Sequence, residues 1–262
     1  MDEAGSDRGA ETRRGRPRIR AARRRVKISQ VIASEIVREI VERDLREGDR
    51  LPTETDMLED FDVGRASIRE ALRILEGYGL ISIRQGQNGG PVVATLGPED
   101  LARTLSFYLH MTGATYGELI EARLVLEPVM ARLAAERQDP EGLRQLREIT
   151  DREQGAPLEG PEYLQCAEQF HMVVSGMSGN GVLDLVGRAL RNLFQQGTSL
   201  GELLPPDARP LNRTVHRDIS DAILHGDGDR AARLTEDHLR HLARAVDERI
   251  GTLRGDRVIW DG

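Results

Sequence analysis

The sequence predicts an α-rich chain in two parts: an N-terminal winged helix-turn-helix, then an all-α antiparallel helical bundle of about seven helices. Two patterns predict it. Residues 28–95 run as three amphipathic segments followed by a strand, a Gly/Asn-rich turn and a strand. From 98 to 253 the apolar period is helical throughout, with breaks near 112–114, 138–142, 155–161, 178–181, 201–210 and 226–229. The totals agree: 262 residues, 39% hydrophobic and 31% charged, suit one large or two ordinary globular domains. No apolar run approaches the ~20 residues of a membrane span, and the polar, arginine-rich start has no secretory-signal pattern. A single cysteine, Cys166, excludes an internal disulfide framework and a cysteine-based zinc site. The expected compartment is the cytoplasm, with no membrane partner.

Residues 1–27 carry ten basic against four acidic residues, although the whole chain has net charge −7. Their low apolar content predicts a disordered basic tail. Within it "RGRPR", Arg14–Arg18, has two readings: an extended hook for an A/T-rich minor groove, or a solvated tail that adds phosphate attraction.

The next segment, 28–95, builds up element by element. "ISQVIASEIVREIVERDL" places Ile28, Ile32, Ile36 and Ile40 on one helical stripe, and Gly48 ends it. "LPTETDML" offers Thr53 as N-cap with Asp56 three residues on, close to a capping box. The third segment, "VGRASIREAL" and its continuation, sets Arg65, Arg69 and Arg73 one turn apart, opposite Ile68, Ala71, Leu72 and Leu75. "LISIRQGQNGGPVVA" then reads as a β-hairpin. Three short helices and a hairpin make a winged helix-turn-helix, whose third helix buries the apolar set and presents arginines to DNA. The guanidinium fork suits that task, because it can bind guanine O6 and N7 together. The segment's net charge of −5 is no obstacle, since binding depends on the local face.

"GDRLPTETDMLEDFDVGRASIREALRILEGYGLISIRQGQNGG" resembles the DNA-binding domain of the GntR family of bacterial transcription regulators. The resemblance implies contacts to double-stranded operator DNA through Arg65, Ser67 and Arg69, with Gln85 and Gly86 at the wing tip in the minor groove. The sequence departs from the family at Thr55, where many members carry arginine. That change implies a different operator or a lower affinity.

In the bundle, polar residues inside apolar stripes stand out. Arg123 aligns with Leu119, Leu126 and Met130, and Glu127 lies one turn on. A buried arginine needs an anion, which is either Glu127 alone or a ligand carboxylate. His171, His216 and His238 each share a face with apolar neighbours on a separate helix. They are either hydrogen-bonded core histidines or three ligands of one cation.

"EARLVLEPVMARLAA", "QFHMVVSGMSGN" and "VHRDISDAILHGDGDRAARLTEDHL" resemble the FCD effector domain of the FadR-like branch of the GntR family. The resemblance implies a homodimer, a small-molecule effector, and Arg123 and Asn180 as effector contacts. It also implies one divalent metal, of zinc or nickel type, on His171, His216 and His238. The aspartate that completes such sites stands four residues before the first histidine, where this chain has Ala167. Glu168 is rotated by ~100° around the helix and does not substitute. Three histidines and water still form a workable shell with lower affinity; the other course is a larger, acyl-type effector bound without metal.

The leading expectation is therefore a ligand-responsive regulator, a repressor released from a pseudo-palindromic operator by a small carboxylate or acyl-type effector, and not an enzyme. The alternatives are a hydrolytic enzyme with a histidine-held metal and an architectural DNA-binding protein that senses nothing.

Overall fold

The structure is a computed structural model that describes residues 16–86, 89–94, 97–197, 204–249 and 251–260. The chain divides into two compact units, Met1–Leu96 and Gly97–Gly262.

The first unit begins with α1, Arg16–Glu42, then α2, Glu54–Phe61, α3, Arg65–Gly77, and the strands β1, Ile81–Arg84, and β2, Gly90–Val93. Helix α1 starts inside the segment expected to be a disordered tail. Arg and Ala are strong helix formers, and Pro17 stands in the first turn, where a missing N–H costs little. The part of the Arg14–Arg18 motif that is described is therefore helical from Arg16; Arg14 and Gly15 lie outside the described residues. Thr53 caps α2 with a complete capping box: its hydroxyl accepts from the Asp56 N–H, and Asp56 accepts from the Thr53 N–H at 3.0 Å. Helix α3 buries the expected Ile68, Ala71, Leu72 and Leu75 against Ile32 and Ile36 of α1 and Met57 of α2.

The hairpin pairs antiparallel, with Ile81 opposite Val93 and Arg84 opposite Gly90. The segment before α2 joins it, a feature with no clear signature in the sequence. The Leu51 N–H donates to the Pro91 carbonyl, the Val93 N–H to Asp49, and the Gly48 N–H to Val93. Gly48 has φ +83°, which lets the chain turn out of the α1 end and into this edge.

The second unit holds seven α-helices among the described residues: α4, Pro98–Thr112; α5, Tyr116–Arg137; α6, Pro140–Gly155; α7, Pro161–Met177; α8, Gly181–Gly197; α9, Arg209–Leu224; and α10, Gly228–Arg249. The breaks fall where the apolar period lapses. Helix α5 runs through the unit and packs mainly against α10, with α7 and α8 also against it. Two apolar cores form. One gathers Leu119 and Ile120 of α5, Leu193 and Phe194 of α8, and Val246 of α10. The other gathers Ala131 and Ala135 of α5, Leu146 of α6, Phe170 of α7, Ile223 of α9 and Ala231 of α10. Between these two sets α5 carries Arg123 and Glu127, and α10 carries Thr235 and His238.

Beyond the expected end at 253, a 3-10 turn, Leu253–Gly255, and an extended segment close the unit. Val258 is fully buried, its N–H donates to the Ala114 carbonyl, and His110 Nδ1 lies 3.0 Å from the Val258 carbonyl. No described helix is long and apolar enough to cross a membrane.

Candidate functional site

Each unit carries one group of side chains that its fold does not account for. On α3, Arg65 stands exposed at the first helical position. Gly64 caps this helix without a side chain, and the first turn holds no acidic residue. Its positive end and free N–H groups are thus open to a phosphate. Arg69 is also exposed, and its Nε donates to Glu54 Oε1 on α2 at 2.8 Å. With side chains 61% and 33% exposed, such a pair is worth about 0–1 kcal/mol. A guanine edge at about 1–3 kcal/mol would displace it. Arg73 sits farther along, 3.7 Å from Glu70.

Ser67, the third residue expected to meet DNA, lies in the first turn of α3 and is largely buried. Gln85 and Gly86 are exposed where β1 ends, and Gly86 turns with φ +110°. Thr55 is exposed on α2 beside Glu54.

In the bundle, the three histidines do come together. His171 on α7, His216 on α9 and His238 on α10 offer ring nitrogens that all lie within 4.8 Å of one another. His238 Nε2 is 3.3 Å from His171 Nε2 and 3.4 Å from His216 Nε2. On two of the rings a glutamate carboxyl group holds Nδ1. His216 Nδ1 lies 2.9 Å from Glu153 of α6, and His171 Nδ1 lies 3.3 Å from Glu127 of α5. A histidine gripped at Nδ1 keeps Nε2 directed at the shared point, the usual support for a metal-binding imidazole. Phe170 stacks on His216 with centroids 4.3 Å apart and fixes the ring plane.

Burial, reinforced by the charge of Arg191, lowers His216 to about 3, and burial keeps His171 and His238 well below the ordinary histidine range. All three therefore present neutral rings. Burial resists ionisation of Glu127, but Arg123, His171 and Arg191 together outweigh it and hold this carboxyl well below its usual value. Burial raises Glu153 to about 8. Neutral imidazoles with convergent Nε2 atoms are the donor set that a zinc- or nickel-type cation takes. The residues present fit such an ion.

Ala167 is buried and supplies no ligand, and no carboxylate among the described residues joins the trio as a donor within that reach. Glu168 is half-buried one residue along.

Arg123 is buried and donates from Nε to Glu127 Oε1 at 2.6 Å, with its guanidinium 5.0 Å from the centroid of Phe194. Of the two anions open to it, the structure supplies Glu127. Asn180 is the other residue expected to contact an effector. It is exposed at the start of α8, where its Oδ1 accepts from the Val182 and Leu183 N–H groups, because an Asn before a helix satisfies otherwise free donors.

Several residues that sequence reasoning passed over belong to this site. Glu153 follows Leu146, Ile149 and Thr150 on the buried stripe of α6, and a carboxylate on such a stripe was the available signal. Arg191 lies among Leu190, Leu193 and Phe194 on α8 in the same way. Asn212 donates to the Tyr163 hydroxyl at 2.9 Å and lies 3.5 Å from His216 Nε2. It also lines, with His238, Leu204, Leu211, Val215 and Leu242, a mainly apolar cavity of about 230 Å³ between α9 and α10.

Comparison with known proteins agrees in both units. Residues 28–88 match the family model for bacterial regulatory proteins of the gntR family, and residues 118–241 match the FCD domain. The HTH-type transcriptional repressor NanR of Cronobacter sakazakii is 28% identical over 219 residues, 82% of this chain and 84% of that protein. The NanR repressor of Salmonella schwarzengrund is 28% identical over 233 residues, 87% of this chain and 88% of that protein. Among solved structures, Streptococcus agalactiae GntR superposes with a TM-score of 0.69 at 26% identity, covering 83% of this chain and 99% of that one. The exposed arginine face of α3 and the histidine-lined bundle thus fall in the two parts the family models match, and the chain belongs to the GntR family of bacterial regulatory proteins, in the branch whose second unit is an FCD domain.

Proposed function

We propose that the chain is a ligand-responsive, DNA-binding transcription repressor whose effector site is built around His171, His216 and His238. The observation that carries this reading is the pairing, in one chain, of an arginine-bearing recognition helix with a buried, polar, convergent site. The NanR relatives, named as repressors, support the sign of regulation. Arg65 and Arg69 read base edges and phosphates, and Gln85 and Gly86 bring the wing to the minor groove. Ser67 lies between Arg65 and Arg69 in the first turn of α3. Two copies in a homodimer would place their recognition helices about 34 Å apart on a pseudo-palindromic operator.

His171, His216 and His238 would hold a divalent cation, which supplies a Lewis-acid seat for an effector's carboxylate. Glu127 and Glu153 keep two of those rings aimed, and Arg123 keeps Glu127 ionised and in place. The apolar cavity beside His238 and Asn212 has room for the body of a small carboxylate or a short acyl-type effector. Effector binding shifts operator affinity only through its different affinity for two conformations of the protein.

The test begins with selection of bound duplexes from a random pool, since the operator is unknown. The expected result is a recurring palindromic site whose affinity falls about tenfold or more in Arg69→Ala, while binding to random duplex largely survives. Equal loss on selected and random duplexes would remove Arg69 from base reading. Mass spectrometry of tag-free protein beside His216→Ala reads the metal: near-stoichiometric zinc or nickel in the wild type should be lost in the variant.

A further inference from the structure

Three imidazoles are an incomplete shell for a zinc- or nickel-type cation, which takes at least one donor more. The aspartate expected four residues before His171 is replaced by Ala167, which is buried and carries no donor. No carboxylate among the described residues stands in for it within reach of the three rings. Carboxylates are not the sole oxygen donors of a protein, however: the amide oxygens of Asn and Gln also bind divalent ions.

One such amide lies against the trio. Asn212 stands four residues before His216 on α9, one turn up the same face. The same spacing separates position 167 from His171 on α7. Asn212 Nδ2 is 3.5 Å from His216 Nε2, beside separations of 3.3 and 3.4 Å between the histidine Nε2 atoms. Donor atoms around a tetrahedral ion with bonds of about 2.0–2.1 Å lie about 3.3 Å from one another. Asn212 and His238 also border the same apolar cavity.

The amide is free to turn. Its Nδ2 faces His216 and donates to the Tyr163 hydroxyl at 2.9 Å. A cation on His216 Nε2 would repel that N–H. Rotation about χ2, a broad and roughly two-fold torsion, exchanges Oδ1 for Nδ2 in the same place. The Tyr163 hydroxyl donates to the Arg209 carbonyl at 3.1 Å and can donate to that oxygen instead. Asn212 therefore keeps a hydrogen-bond partner in either orientation.

We propose that Asn212 is the fourth protein ligand of the cation held by His171, His216 and His238, binding through Oδ1 in place of the aspartate expected at 167. The proposal rests on the reading of the trio as a cation site, and it is measured without DNA or effector. A neutral amide attracts a cation less than a carboxylate does, so one substitution at this position can raise the affinity. Zinc- and nickel-type ions also accept a fifth donor, which leaves the effector a place.

The experiment is equilibrium dialysis of the full-length, tag-free protein against zinc, with the visible absorption of the cobalt-loaded protein as a reporter of the donor set. Asn212→Ala is expected to lower zinc affinity about tenfold, and Asn212→Asp to raise it about tenfold. The cobalt bands should differ among wild type, Asn212→Ala and Asn212→Asp, because the ligand field follows the donor atoms. A residue that only supported Tyr163 would leave those bands where they are. Circular dichroism verifies the fold of each variant; should Asn212→Ala not fold, Asn212→Asp decides. Unchanged zinc affinity in both variants, or identical cobalt bands in all three proteins, would overturn Asn212 as a ligand and leave the three-histidine site standing. Wild-type protein that binds neither zinc nor cobalt would overturn the cation reading of the trio, and this proposal with it.

Discussion

On α3, Arg69 meets Glu54 at 2.8 Å with most of the guanidinium in water; inside the bundle, Arg123 meets Glu127 at 2.6 Å with its side chain 4% exposed. The two pairs have the same chemistry and nearly the same length, yet their energetics are opposite. In water the ions were already well solvated, so their association contributes little and is easily exchanged for a DNA partner. In the core each ion depends on the other, because removing one strands a buried charge. The reading head therefore keeps its arginines available, whereas the bundle locks Arg123 onto Glu127.

The largest expected effect is that of Glu127→Ala. It strands Arg123, frees His171 Nδ1 and removes the nearest anion from Arg191, so the bundle should lose about 3–5 kcal/mol in denaturant unfolding. A loss below about 1 kcal/mol would mean that water reaches this pair and that the contrast fails.

Ile68→Ala is next. Ile68 is fully buried in the head core, and the substitution should cost that unit about 2–5 kcal/mol. Domain-resolved hydrogen exchange should show the loss in residues 28–94, with the bundle helices unchanged. Spread of the effect into the bundle would show that the two units unfold as one.

Smaller effects test the surface side. Thr53→Ala removes the cap of α2 and should cost about 1 kcal/mol. Glu54→Ala should change stability by less than about 1 kcal/mol, because its pair with Arg69 is exposed. Its measurable consequence should lie in duplex selection, where a freed Arg69 reads bases with less fixed orientation. A destabilisation comparable to that of Glu127→Ala would erase the distinction between the two pairs.

Much of this was legible along the chain. The helix boundaries of the bundle followed from lapses in the 3.6-residue period, and the buried face of α3 from Ile68, Ala71, Leu72 and Leu75, since both are local consequences of helical geometry. The histidines, too, could be placed on inward faces from their apolar neighbours. Less legible was the start of α1, because a basic, polar segment satisfies the composition of a disordered tail and the propensities of a helix at once.

The sequence by itself determined the two-part architecture, the arginine row and the candidate trio, because periodicity and spacing act within single elements. Only the tertiary structure decided which partner each charge obtained. Glu127 reaches His171 across 44 positions and Glu153 reaches His216 across 63, distances that no helical period encodes. It also buried Ser67, let Asn180 accept from two N–H groups at the start of α8, and left Arg191 Nε and Nη1 without a hydrogen-bond partner among the described residues. Pairing is set by which helices pack together, and burial then fixes what each pair is worth.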